Sequence, residues 1–176
     1  MINYDGEYVI FICEGNFERA ILDILLEHDC LVISANNLIG NPIIDRARSA
    51  KKIEVKYLNR RFDKPVRIIR LIDSKNEKFE LSPAYSSKVN EINTCLTRRS
   101  IEILIIIADG HYEKFTQSSI DSCEEYIEIY LGYKKYKSYD FVKNYFSDIN
   151  KLINALKTYK KLKKQKELCI ADLLKE

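Results

Sequence analysis

Apolar positions run without a break from Val9 to Cys13, and the run ends on a carboxylate and a glycine, Glu14-Gly15. A continuous apolar stretch of this length predicts a strand buried on both faces, as parallel sheets require. From Phe17 the spacing changes. Phe17, Ala20, Ile21, Ile24 and Leu25 recur at helical intervals with Glu18, Arg19 and Asp23 between them, so strand passes directly into an amphipathic helix. Cys30-Leu31-Val32-Ile33-Ser34 reads as a second short buried strand, completing a βαβ start. Loop residues follow at 36–42. Ile43 to Arg61 returns to a helical period, with apolar positions at 43, 44, 47, 50, 53, 57 and 58 and a basic opposite face that includes Arg46, Arg48, Lys51, Lys52, Lys56, Arg60 and Arg61. Pro65 to Ile72 is a third strand, and it too ends on an acid, Asp73.

Beyond it, residues 78–81 and 89–96 alternate weakly about the Ser82-Pro83 turn and predict a short edge hairpin or strand. Ile101 to Ala108 is β-branched enough for a strand. Its continuation through Tyr112 and Phe115, with Ser100 as a cap, favours a buried helix, with Asp109-Gly110-His111 as a kink. Helical spacing then dominates at about 119–131, 139–146 and 148–167. The expected architecture is α/β: a mainly parallel sheet of about four strands flanked by helices in residues 1–117, and a helical extension, 118–176, packed on that core within a single domain.

Composition narrows the class. The chain has 176 residues and few Gly and Pro, which suits an ordered domain with a sizeable core. The five cysteines form no Cys-x-x-Cys pair and sit among apolar residues, so free thiols in a reducing cytoplasm are expected. Residues 1–7 carry no basic leader segment, and the run from Ile103 to Ala108 is too short to span a bilayer, so no membrane association is expected. The net charge of +3 does not by itself mark a nucleic-acid binder. His28 and His111 lack ligand spacing, and no Walker A, Gly-x-Gly-x-x-Gly or Gly-x-Ser-x-Gly motif is present.

What remains is three acids in apolar surroundings, Glu14, Asp73 and Glu102. Carboxylate oxygens are hard ligands suited to Mg²⁺ or Mn²⁺, and such an ion activates water beside a phosphate. Two plainer roles compete. Glu14 can simply face the dipole of the helix it precedes, and buried acids can be neutralised by arginine, with Arg67, Arg70, Arg98 and Arg99 nearby in sequence.

The order of strand, Glu14-Gly15, helix with Glu18, a later strand ending at Asp73 and an acid opening an apolar helix resembles the Toprim domain, particularly the small RloB-like proteins and the nuclease domain of the OLD family. The likeness covers roughly residues 7 to 110. It implies a Rossmann-like parallel sheet with its acids at the C-terminal edge, divalent metal on Glu14, Asp73 and Glu102, and cleavage of DNA or RNA. It further implies a place in bacterial phage defence or a mobile element, with an ATPase partner supplied in trans. Where the family pattern has a second Asp, this chain has Lys75, which weakens a metal site yet suits stabilisation of developing negative charge. The alternative is a non-catalytic subunit that binds nucleic acid or a partner protein. Arg46, Arg48 and the tail cations Lys160, Lys161, Lys163 and Lys164 are the expected phosphate contacts, against a plain solvated surface.

Overall fold

The computed structural model describes residues 4, 6–40, 43–44, 50–72, 78–97, 100–162 and 167–175. Three long strands, β1 (Tyr8–Cys13), β3 (Val66–Ile72) and β4 (Val89–Leu96), run parallel, and a two-residue stretch, β2 (Ile43–Ile44), pairs with the end of β1. The order across the sheet is β2-β1-β3-β4. Helices cover both faces, as the unbroken apolar runs of β1 and β3 demand: every residue of β3 is buried.

Alternation along the strands divides the interior. Val9, Phe11, Cys13, Ile69, Leu71 and Cys95 face one cluster, and Ile10, Ile12, Val66 and Ile68 face the other. Onto the first pack α1 (Asn16–Glu27), α4 (Ile103–Ala108), α5 (Tyr112–Gln117), α6 (Cys123–Tyr126, continued as a wider turn to Leu131), α7 (Tyr139–Tyr145) and α8 (Ile149–Leu162). The second is covered by Ile53 and Leu58 of α2 (Ala50–Ile53, widened through Leu58) and by Ile39. One apolar cluster thus contains residues from both the sheet and the C-terminal helices. Among the described residues no helix is long and apolar enough to cross a membrane.

The β-branched stretch at 103–107 is helical because burial overrides its propensity: Ile105 and Ile106 are fully buried in the cluster that α4 shares with α8 and the sheet, each contributing about 1.5–3 kcal/mol. The expected continuous helix ends at the kink foreseen. Gly110 takes φ +72, its N–H reaches Ile107 O at 3.0 Å and His111 N–H reaches Ile106 O at 2.9 Å, which closes α4 before α5 begins.

Four expectations differ. Cys30–Ser34 is not a sheet strand. The position beside β1 is taken by residues 38–39 and 43–44, with Leu38 opposite Val9, Ile39 N–H donating to Val9 O at 2.9 Å and Ile12 opposite Ile43. Residues 30–32 pair instead with the C-terminal segment, Leu31 opposite Leu174 and Val32 N–H to Leu173 O at 2.9 Å. Of the edge hairpin or strand expected over 78–96, residues 89–96 are the edge strand β4, but no hairpin with 78–81 forms because β4 joins β3 in parallel, which requires a crossover rather than a tight turn. That crossover includes α3 (Pro83–Ser86), and Phe79 and Leu81 pack on the second cluster. Of the helix expected over 43–61, residues 43–44 are strand and 50–58 are helical, while 45–49 lie outside the described residues. The helix expected at about 119–131 begins only at Cys123, where the Ser122 hydroxyl accepts from Glu125 N–H at 3.3 Å and so caps its first turn.

Candidate functional site at the strand ends

Chain order β1, β2, then β3 on the far side of β1 makes the crevice between the C-terminal ends of β1 and β3 a point where the winding reverses. Open parallel sheets bind ligands in such crevices, because the loops leaving the two strands diverge to opposite sides. Glu14 follows β1 directly and is half-buried. Register carries the same edge across to β3, with Cys13 opposite Leu71. Asp73 is the next residue after β3 in sequence; it and Lys75 lie outside the described residues.

Gly15 forms the turn into α1 in an extended conformation, with φ −151. A methyl group there would stand 3.1 Å from Glu18 Oε2, so the Glu18 side chain folds back over the strand-to-helix turn. The Glu18 carboxylate therefore lies by the first turn of α1, whose backbone N–H groups favour negative charge, and Glu14 directly precedes the Gly15 that opens it. The sequence places Glu18 in the helix of the pattern that carries the resemblance but not among the site residues, and the signal that would raise it is its position three residues after the glycine. Cys13 is no nucleophile: burial, followed by the Glu18 charge, pushes its thiol far above the ordinary value.

Glu102 is buried at the start of α4. Its Oε2 accepts the Ser100 hydroxyl, and its Oε1 lies 3.5 Å from Lys137 Nζ. Burial pulls the Lys137 ammonium down, but its hydrogen bond to Glu124 and the charge of Glu102 outweigh that, so its pKa is raised. Nothing in the sequence linked Lys137 to Glu102, since the contact depends on how the segment before α7 packs against α4.

The arginines divide differently from the sequence expectation. Arg67 is buried at the N-terminal end of the sheet and serves Glu7, Glu91 and Asn93, with Nη1 to Asn93 Oδ1 at 2.9 Å and Nη2 to Glu7 Oε1 at 3.2 Å. Asn90 donates to Glu7 from the bulge where Val66 stands opposite Val89 and Arg67 opposite Glu91. Arg70, opposite Ile12, lies over the Phe79 ring at 4.7 Å. Arg98 and Arg99 are outside the described residues.

Of the expected phosphate contacts, Arg46, Arg48, Lys163 and Lys164 lie outside the described residues. Lys160 pairs with Asp172 Oδ1 at 2.7 Å, and this hydrogen bond raises its pKa; Lys161 is exposed near the end of α8. Among the described residues no three His, Cys, Asp or Glu side chains gather into a metal-holding group. The donor set at the turn, carboxylate oxygen from Glu14 and Glu18, is of the hard type that suits Mg²⁺ or Mn²⁺.

Fold and site together define the class, a parallel α/β protein with carboxylates at the reversal point of its sheet. Comparison with family models, curated proteins and solved structures finds no match to this chain.

Proposed function

We propose that this chain is a Toprim-like nuclease dependent on Mg²⁺ or Mn²⁺ that cuts DNA or RNA in the cytoplasm, in phage defence or on a mobile element, alongside an ATPase partner. The observation that carries this reading is the strand order: the crevice between β1 and β3 lies where Glu14 leaves one strand and Asp73 follows the other. Glu14 and Asp73 would hold the ion, with Glu18 facing the same turn and Glu102 as the further acid of the resemblance. A bound divalent ion supplies charge neutralisation at a phosphate and a more acidic water. Lys75 supplies a positive charge for the phosphate oxygens, and the N-terminal turn of α1 adds its dipole.

Purified protein is assayed with Mg²⁺ or Mn²⁺ against single- and double-stranded DNA and RNA. Glu14→Gln is expected to abolish cleavage and the metal-induced rise in melting temperature, because the amide keeps the shape but loses the charge. Lys75→Ala is expected to slow turnover while metal binding persists. Full activity in Glu14→Gln rejects the site.

The second reading, a non-catalytic subunit that binds nucleic acid or a protein partner, draws support from the Glu102–Lys137 pair, in which a lysine already occupies the place of a cation. Wild-type protein that binds nucleic acid but cleaves none of the four substrates, with either metal, favours it.

A further inference from the structure

At the other end of the sheet, about 20 Å along β1 from Glu14, a cavity of about 710 Å³ opens between residues 61–65 and 86–90. Three half-buried rings stand around this end of the sheet, and each carries a cation: Lys64 lies 5.8 Å from the Tyr8 centroid, Arg60 5.1 Å from Phe62 and Lys88 5.3 Å from Tyr85. The rings rest on the second apolar cluster, so the cations are held over a rigid floor.

A cation held by a ring is positioned but not neutralised. Lys88 further donates to the carbonyls of Leu58 at 2.8 Å and Arg60 at 3.0 Å, which fixes it without cancelling its charge. Among the described residues Arg60, Arg61, Lys64 and Lys88 make no ion pair with a carboxylate. The acid in the cavity wall, Asp63, accepts the Tyr8 hydroxyl at 2.9 Å. Like charges gathered at one recess repel one another, and an anion that enters offsets the repulsion.

We propose that this cavity binds the backbone phosphates of single-stranded nucleic acid. The volume falls in the range of a small-ligand pocket, enough for a nucleotide or two of a flexible strand. A duplex is read by elements that protrude into its grooves, and this surface is recessed. The site is separate from the carboxylates and does not depend on their being catalytic.

The test is fluorescence anisotropy with short labelled oligo-dT and oligo-U and a duplex of equal length, in EDTA, over a salt series. Paired reversal, Arg61→Glu with Lys64→Glu, is expected to weaken single-strand binding at least about tenfold and to make the salt slope shallower by about 1.4, the share of two phosphate contacts. Lys114→Glu with Lys134→Glu makes the same change in net charge at exposed positions elsewhere and is expected to leave affinity nearly unchanged. Melting curves confirm that each variant is folded, and Arg61→Gln with Lys64→Gln repeats the test without introducing acids. Equal losses in the two reversed pairs overturn the proposal, as does tighter binding of the duplex. Displacement of the oligonucleotide by inorganic phosphate or a mononucleotide at comparable affinity overturns it in favour of a small phosphate ligand.

Discussion

Arg67 stands in the middle of an apolar strand and is buried together with Glu7, so neither charge is supportable without the other. The Arg67 hydrogen bonds hold the Glu7 carboxyl below the usual glutamate range, and Asn90 adds to this. A carboxyl depressed in the folded state contributes stability above its unfolded value, and that contribution is lost as pH falls through the folded one. Melting temperature is therefore expected to drop on acidification below the ordinary value of 4.5. Glu7→Gln is expected to flatten that acid limb and to cost about 2 kcal/mol at neutral pH, both read from melting curves over a pH series. Gly15 offers a second residue-level check. Its alanine variant makes the Glu18 carboxylate give way by a few tenths of an ångström at the strand-to-helix turn, so Mg²⁺ affinity measured by calorimetry is expected to fall more than stability does. Unchanged affinity would remove Glu18 from the site.

Elements here end where backbone chemistry stops them. At the close of α4, Gly110 has φ +72 and nothing within 4 Å of an added methyl group, so Gly110→Ala tests conformation alone and is expected to cost about 1 kcal/mol in chemical denaturation. The C-terminal turn Ile170–Leu173 does what a sheet strand was expected to do for residues 30–32, and its Leu173 is fully buried. Leu173→Ala is expected to cost about 2–4 kcal/mol, far more than a surface tail would allow. A loss under about 0.5 kcal/mol would show that this segment is not part of the cooperative fold.

For the molecule as a whole, the layered core predicts an order of reactivity. Cys13, Cys95, Cys123 and Cys169 are buried and Cys30 is half-buried. A disulfide reagent is expected to titrate Cys30 first and the other four only as the core opens, so their rates should follow global unfolding in denaturant. Early modification of Cys95, at the end of the edge strand β4, would instead reveal local opening of that edge. The two ends of the sheet differ in chemistry: Glu14 follows β1 at one end, and at the other the cavity before β3 and β4 is lined by Arg61, Lys64 and Lys88, which among the described residues make no ion pair with a carboxylate.

Periodicity alone located β1, α1, β3 and the C-terminal helices, because a buried strand and an amphipathic helix each write their contacts into consecutive residues. The same local reading put Glu14 at the end of an apolar strand, and the kink at Asp109-Gly110 was legible from the glycine. Pairing was not legible. Residues 30–34 have strand composition, yet the place beside β1 is held by residues 38–39 and 43–44, and only competition between distant segments for one edge decides that. Val89–Leu96 joined β3 in parallel rather than folding back on residues 78–81 for the same reason. The partners of charged groups were equally beyond reach: Arg67 with Glu7, Lys137 with Glu102 and Lys160 with Asp172 join residues far apart in sequence. Local spacing determines which face of an element is buried, whereas the packing of whole elements decides what each buried charge meets.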